Sequence, residues 1–132
     1  MGRYLEDAWA LYGHAVGELQ DWRRTGDALL LRDAAEKAWG AVTQGANDLL
    51  ESQGRVVPEG TNARRDAIRA VERENRHIRT LRLSSRFGDA KLILHQDCFY
   101  DGQCPHELIE EFVTEDVREY LGDISGVANG TG

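Results

Sequence analysis

YLEDAWALYGHAVGELQDWRRTGDALLLRDAAEKAWGAVTQGANDLLESQ, residues 4–53, decides the fold class. In its first part Leu5, Ala8, Trp9, Tyr12, Ala15, Val16, Leu19 and Trp22 recur at helical spacing, which places them on one face of a helix. Thr25-Gly26-Asp27 comes next. Glycine takes the left-handed backbone that ends a helix, and aspartate caps the one that follows. A second helix, Asp27 to Gln53, is therefore expected to run back against the first. Its small residues at 34, 35, 38, 41, 45 and 46 would let a neighbouring helix approach closely.

The remainder of the chain continues in the same manner. Gly54 ends the second helix, Arg55 to Gly60 form a loop containing Pro58, and Thr61 or Asn62 is placed to cap a third helix. A break is expected between Glu74 and Ser85, where the segment is too polar to hold one apolar face. Phe87, Ala90, Leu92, Ile93, Leu94, Phe99 and Tyr100 mark the next helix, which Asp101-Gly102 ends. Pro105 suits the first turn of a last helix that runs to Ile124, and the Gly- and Ser-rich tail after it is expected to be disordered. The fold class is all-α: an antiparallel four- to five-helix bundle in one domain, residues 1–124, with a tail at 125–132. No period-two strand pattern is present.

Composition agrees with this and narrows the function. A chain of 132 residues and 14.8 kDa has room for one hydrophobic core. With a mean hydropathy of −0.53 it contains no apolar run near the roughly 20 residues that span a bilayer, so no membrane partner is expected. The first seven residues lack the apolar stretch of a secretory signal, and two cysteines are too few for a disulfide scaffold. Both point to a reducing cytoplasm, with the cysteines as free, small buried groups.

The charge is unevenly spread. The net charge is −7, yet Thr61 to Arg86 holds eight arginines against Asp66, Glu72 and Glu74. Arg65, Arg69, Arg73, Arg76, Arg79, Arg82 and Arg86 step by three or four, so on an unbroken helix they share one side. Such a stripe can track phosphates, and Arg69, Arg73, Arg76, His77 and Arg79 are the candidate RNA- or nucleotide-binding residues, with Asn75 alongside. The competing expectation pairs these arginines with Glu107, Glu110, Glu111, Glu115, Asp116 and Glu119 of the last helix.

Two further groupings are read from spacing. His95, Cys98, Cys104 and His106 carry four zinc-type donors within twelve residues, in a nonstandard pattern, and no metal is assigned to them. Trp9, Trp22 and Trp39, with Tyr4 and Tyr12, are expected to pack in the core, although aromatic faces can also stack on bases.

The hairpin with Gly26-Asp27 at its turn and Ala34-Ala35-Glu36-Lys37-Ala38-Trp39 on its second helix resembles the archaeal helical family called PaREP. So does the closing region, Ala90-Lys91-Leu92-Ile93-Leu94-His95, Phe99-Tyr100-Asp101-Gly102 and Leu108 to Ile124. The likeness extends over about residues 3–124 and implies membership of the HEPN (higher eukaryotes and prokaryotes nucleotide-binding) superfamily. It implies a bundle that forms homodimers and needs no cofactor. It also implies either a metal-independent endoribonuclease toxin or a subunit paired with a nucleotidyltransferase-like antitoxin.

The superfamily's ribonucleases need an arginine followed, after four to six residues, by a histidine. His95 finds Gly88, Asp89 and Ala90 at the required positions, and His14, His77 and His106 also lack the arginine. The expected function is therefore binding of RNA, a nucleotide or a partner protein. Cleavage is the alternative, with His95 as base, Lys91 as phosphate stabiliser and Tyr100 as orienting hydroxyl.

Overall fold

The computed structural model describes residues 2–128. Helix α1 is Arg3–Thr25 and α2 is Ala28–Ser52. Between them Gly26 adopts φ 74° and donates its N–H to Trp22 O at 2.7 Å, while the Asp27 carboxylate accepts from Leu29 N at 3.0 Å. The hairpin thus closes with the residues that its sequence supplies for the purpose. Leu5, Ala8, Ala15, Leu19 and Trp22 of α1 are buried against α2.

Helix α2 lies at the centre, packed against α1 and later elements. Ala34, Ala35, Ala38, Ala41, Gly45 and Ala46 are all buried, and their small volume sets the close approach. A Cβ at Gly45 would stand 2.7 Å from Leu121 Cδ2, so glycine is required where the last helix crosses. Larger side chains, Leu31, Val42, Leu49 and Leu50, fill the remaining space, each contributing roughly 1.5–3 kcal/mol by leaving water.

Helix α3 is Thr61–Glu74. Gly60, not Thr61 or Asn62, holds the N-cap position, and no side chain caps it. The break that the sequence left open falls in two places. Asn75 is extended (φ −132°, ψ 106°), and its side chain accepts from Ile78 N at 3.0 Å to start the short α4, Arg76–Thr80. Arg82 then takes the left-handed conformation (φ 56°, ψ 42°) and starts α5.

Helix α5 covers residues 83–100, α-helical over Leu83–Ala90 and widened to π-type turns over Lys91–Tyr100. Gly102 (φ 69°) reverses the chain, and α6 covers residues 106–128: α-helical at His106–Glu111, π-type at Phe112–Val117, and α-helical again at Arg118–Ala128. The last helix does not stop at Ile124. Trp9 Nε1 donates to Ser125 Oγ at 3.3 Å and Val127 packs on the core, so the first half of the expected tail is structural. Residues 129–132 of that tail lie outside the described residues.

The described residues form an all-helical fold of six helices, with no strand among them. None of these helices is long and apolar enough to cross a membrane. Trp22 and Trp39 are buried, and Trp9 packs edge-on against Tyr12 at 5.7 Å, which leaves the core role as the account of these rings.

Candidate functional site

The two breaks after α3 alter what the basic segment can do. On a straight helix the arginines would form one line; here Asn75 and Arg82 fold the segment around a cleft of about 570 Å³. Arg69 and Arg73 from α3, Arg79 from α4, Arg82, and Ser84 and Ser85 from the first turn of α5 line it, together with Glu72. Among the described residues, none of these four guanidiniums has an ion pair or a side-chain hydrogen bond. Glu72 is occupied: its Oε1 accepts from Ser84 Oγ at 2.5 Å and its Oε2 from Ser84 N at 3.4 Å.

The structure brings together Arg69, Arg73 and Arg79 of the sequence-derived set, while Arg76 and His77 are exposed on α4 outside the lining. Asn75 is spent as the α4 cap and is not among the cleft-lining residues. Arg82, which the spacing put in the stripe but not among the candidate binding residues, also belongs to the lining, as do Ser84 and Ser85, which the spacing did not single out.

Pairing with the acidic last helix fails for the cleft arginines. Of the basic segment, only Arg86 pairs with α6 among the described residues, at 2.8 Å from Asp123, and it also donates to Leu81 O and lies over the Tyr120 ring at 5.2 Å. Glu110 pairs instead with Arg23 of α1 at 3.2 Å. Arg64 is not a surface cation at all; it is buried, with its guanidinium inside the fold.

His95 forms a second constellation on the π-type part of α5. Its Nδ1 lies 2.8 Å and 3.1 Å from the two oxygens of Glu36 on α2. A carboxylate on Nδ1 holds the proton there and leaves the Nε2 lone pair as the basic site, and Nε2 has no partner among the described residues. The ring sits in an aromatic frame: Trp39 at 5.7 Å, Phe99 at 6.3 Å and Tyr100 edge-on at 4.9 Å. Tyr100 reaches His95 because π-type turns bring residues five apart onto one side. Its hydroxyl makes no hydrogen bond among the described residues, so the group that orients the imidazole is Glu36.

Arg32, one α-helical turn before Glu36, donates from Nε to Phe99 O at 3.0 Å and from Nη2 to Phe99 O and Tyr100 O. It ties the end of α5 to α2 and holds both aromatic residues beside the imidazole. Lys91, one turn before His95, is half-buried and forms no ion pair among the described residues.

The zinc-type spacing does not become a ligand set. Cys98 and Cys104 are joined in a disulfide, which overturns the expectation of free thiols. Gly102 explains how: its left-handed turn, with its N–H on Cys98 O at 3.1 Å, carries Cys104 back over Cys98. His95 is committed to Glu36, and His106 packs on Trp22 at 4.8 Å. Among the described residues no cluster of three or more His, Cys, Asp or Glu side chains could hold a metal.

A smaller pocket of about 240 Å³ lies between α5 and α6, walled by Val42, Asp89, Phe112, Asp116 and Tyr120. Burial, and then the charges of Glu111, Glu119 and Glu115, push the Asp116 carboxyl above its ordinary range. Burial likewise raises the Tyr120 phenol, whose hydroxyl has no hydrogen-bond partner among the described residues.

No family model matches this chain, and neither a curated protein nor a solved structure does. The class that the coordinates themselves define is an all-α protein with an arginine-lined cleft and a separate histidine–glutamate pair.

Proposed function

We propose that this protein is a HEPN-like helical bundle that binds RNA or a nucleotide through its phosphates at the cleft between α3 and α5. The observation that carries this reading is the gathering of Arg69, Arg73, Arg79 and Arg82 around one cleft with no carboxylate among the described residues paired to any of them. Surface arginines that serve packing or solubility are ordinarily balanced nearby, and these four face only Glu72, which is held by Ser84. A guanidinium offers phosphate a planar fork of donors and stays charged at every physiological pH, so the set suits an anionic ligand.

The test is RNA binding measured across salt concentrations. Removing one arginine–phosphate pairing should reduce the salt slope by about 0.7 for a single strand. Arg69→Glu with Arg73→Glu should weaken binding strongly and flatten the slope, with the fold unchanged by circular dichroism. Equal binding by parent and variant would exclude the cleft.

A second reading is favoured by the pairing of His95 with Glu36. The geometry suits a metal-independent endoribonuclease in which His95 Nε2 accepts the proton of an RNA 2′-hydroxyl as its oxygen attacks the adjacent phosphorus. The imidazolium then returns that proton to the departing 5′-oxygen, leaving a cyclic phosphate, with Lys91 as the neighbouring positive charge. RNA cleavage in the presence of chelator that is lost in both His95→Ala and Glu36→Gln supports it; cleavage unchanged in His95→Ala rejects it.

A further inference from the structure

Resting on the phosphate-binding reading above, we infer that the cleft is a clamp for a terminal phosphate, at an RNA end or on a free nucleotide, and not a track for the internal phosphodiesters of a strand. The two helix breaks carry the distinction. Unbroken, the segment from Arg65 to Arg86 would string its arginines along roughly 30 Å of helix, enough to follow several successive phosphates. Asn75 and Arg82 instead turn the chain, and four of the arginines line one cleft of about 570 Å³.

Arg82 is the sole non-glycine residue with positive φ among the described residues, at 56°. A bulky side chain rarely occupies that conformation, and such residues cluster at ligand sites. Here the left-handed corner joins α4 to α5, so that the walls carrying Arg79 and Ser84 meet at the cleft.

Charge points the same way. Four guanidiniums stand against the single carboxylate of Glu72, an excess of about three positive charges in one concavity. An internal diester brings one negative charge and continues on both sides. A terminal phosphate brings nearly two charges and three free oxygens, and enters from one side only. Arg69 and Arg73 come to the cleft from α3 and Arg79 and Arg82 from α4 and the corner after it, so two separate elements supply donors for those oxygens, while Ser85 adds a hydroxyl at the first turn of α5.

The test uses the full chain and fluorescence anisotropy with one RNA 12-mer carrying a 5′-phosphate, a 3′-phosphate or hydroxyls at both ends. Adenosine monophosphate and inorganic tripolyphosphate serve as competitors. A terminally phosphorylated form should bind at least tenfold more tightly than the dihydroxyl form, and tripolyphosphate should displace it. Arg73→Gln and Arg79→Gln should each remove that preference while the melting temperature stays within a degree or two of the parent. Tighter binding of the phosphorylated oligomer than of the mononucleotide assigns the phosphate to an RNA end, and equal affinity assigns it to a nucleotide; both support the clamp. Equal affinity for phosphorylated and dihydroxyl RNA overturns the clamp and leaves phosphate binding standing. Failure of every probe to bind overturns both.

Discussion

Arg64 Nε donates to Asn47 Oδ1 at 2.6 Å inside the fold, where this arginine of the basic segment is buried. Its Nη2 donates to Pro58 O at 2.7 Å and its Nη1 to Gly60 O at 3.5 Å, so one side chain ties α2, the loop at 55–60 and the start of α3. Burial lowers its pKa from the usual arginine value, yet an arginine starts so far above neutrality that it remains charged. Arg64 therefore belongs to folding and not to ligand binding.

Arg64→Ala is expected to cost about 3 kcal/mol, because it strands the Asn47 amide oxygen and the Pro58 carbonyl without donors, while Gly60 O keeps the backbone N–H of residue 64. Urea unfolding measures this. Arg73→Ala, at an exposed position, should change stability by less than about 0.5 kcal/mol. A similar loss at both positions would mean that the cleft arginines also hold the fold together.

Asp48→Asn should stabilise the protein at neutral pH. Asp48 is 4% exposed, and its Oδ2 has no hydrogen-bond partner among the described residues. Burial, followed by the charge of Glu51, raises its pKa, against a lowering by the Leu5 backbone hydrogen bond. The folded state thus holds the Asp48 proton to higher pH than the unfolded state does. Stability from this group is present at low pH and is lost as pH rises from the ordinary carboxylate range through the raised value. Asparagine cannot ionise, so the variant should melt about 3 °C higher at pH 7, with the difference vanishing below about pH 4. Thermal melts at the two pH values decide it; a variant less stable at pH 7 would show that the carboxylate is compensated.

Gly45→Ala tests the close crossing of α2 and α6. The added methyl would meet Leu121 Cδ2, whose side chain is itself fully buried and cannot swing into solvent. The better helix propensity of alanine offers about 1 kcal/mol, and overpacking costs roughly 1–3 kcal/mol, so a net loss is expected in chemical denaturation. A net gain would show that the helices can separate without penalty.

The helical hairpin was legible because its signals are local: Gly26 and Asp27 act on their own neighbours. So was the all-α class, from apolar spacing. The position of the breaks was not, since Glu72 to Arg82 lacks apolar periodicity and the Asn75 side chain could equally have faced a ligand. Ser125 to Ala128 looked like tail by composition, and only the distant Trp9 makes Ser125 structural. Glu36 went unnoticed as a partner because 59 residues separate it from His95, and no spacing rule links them. Lys91, His95 and Tyr100 are candidates that the sequence offers, whereas the π-type turns that set Tyr100 against His95 leave no signature in it.

The Cys98–Cys104 disulfide gives the last prediction, since it closes the turn at the end of the segment that carries His95. Opening it frees a loop of about seven residues, which on a chain-entropy account costs about 2 kcal/mol. A melting temperature lower by roughly 5–8 °C is then expected on adding a reductant. Phe99 and Tyr100 lie inside the same loop, and their carbonyls are the acceptors for Arg32. Reduction should therefore loosen the frame around the imidazole as well as the fold, visible as altered His95 ring resonances in NMR spectra. The double variant Cys98→Ala, Cys104→Ala separates the bond from the reductant: it should melt at the reduced parent's temperature and show no further response. A parent unaffected by reductant would mean that Arg32 and the Gly102 turn hold this loop without the sulfur bridge.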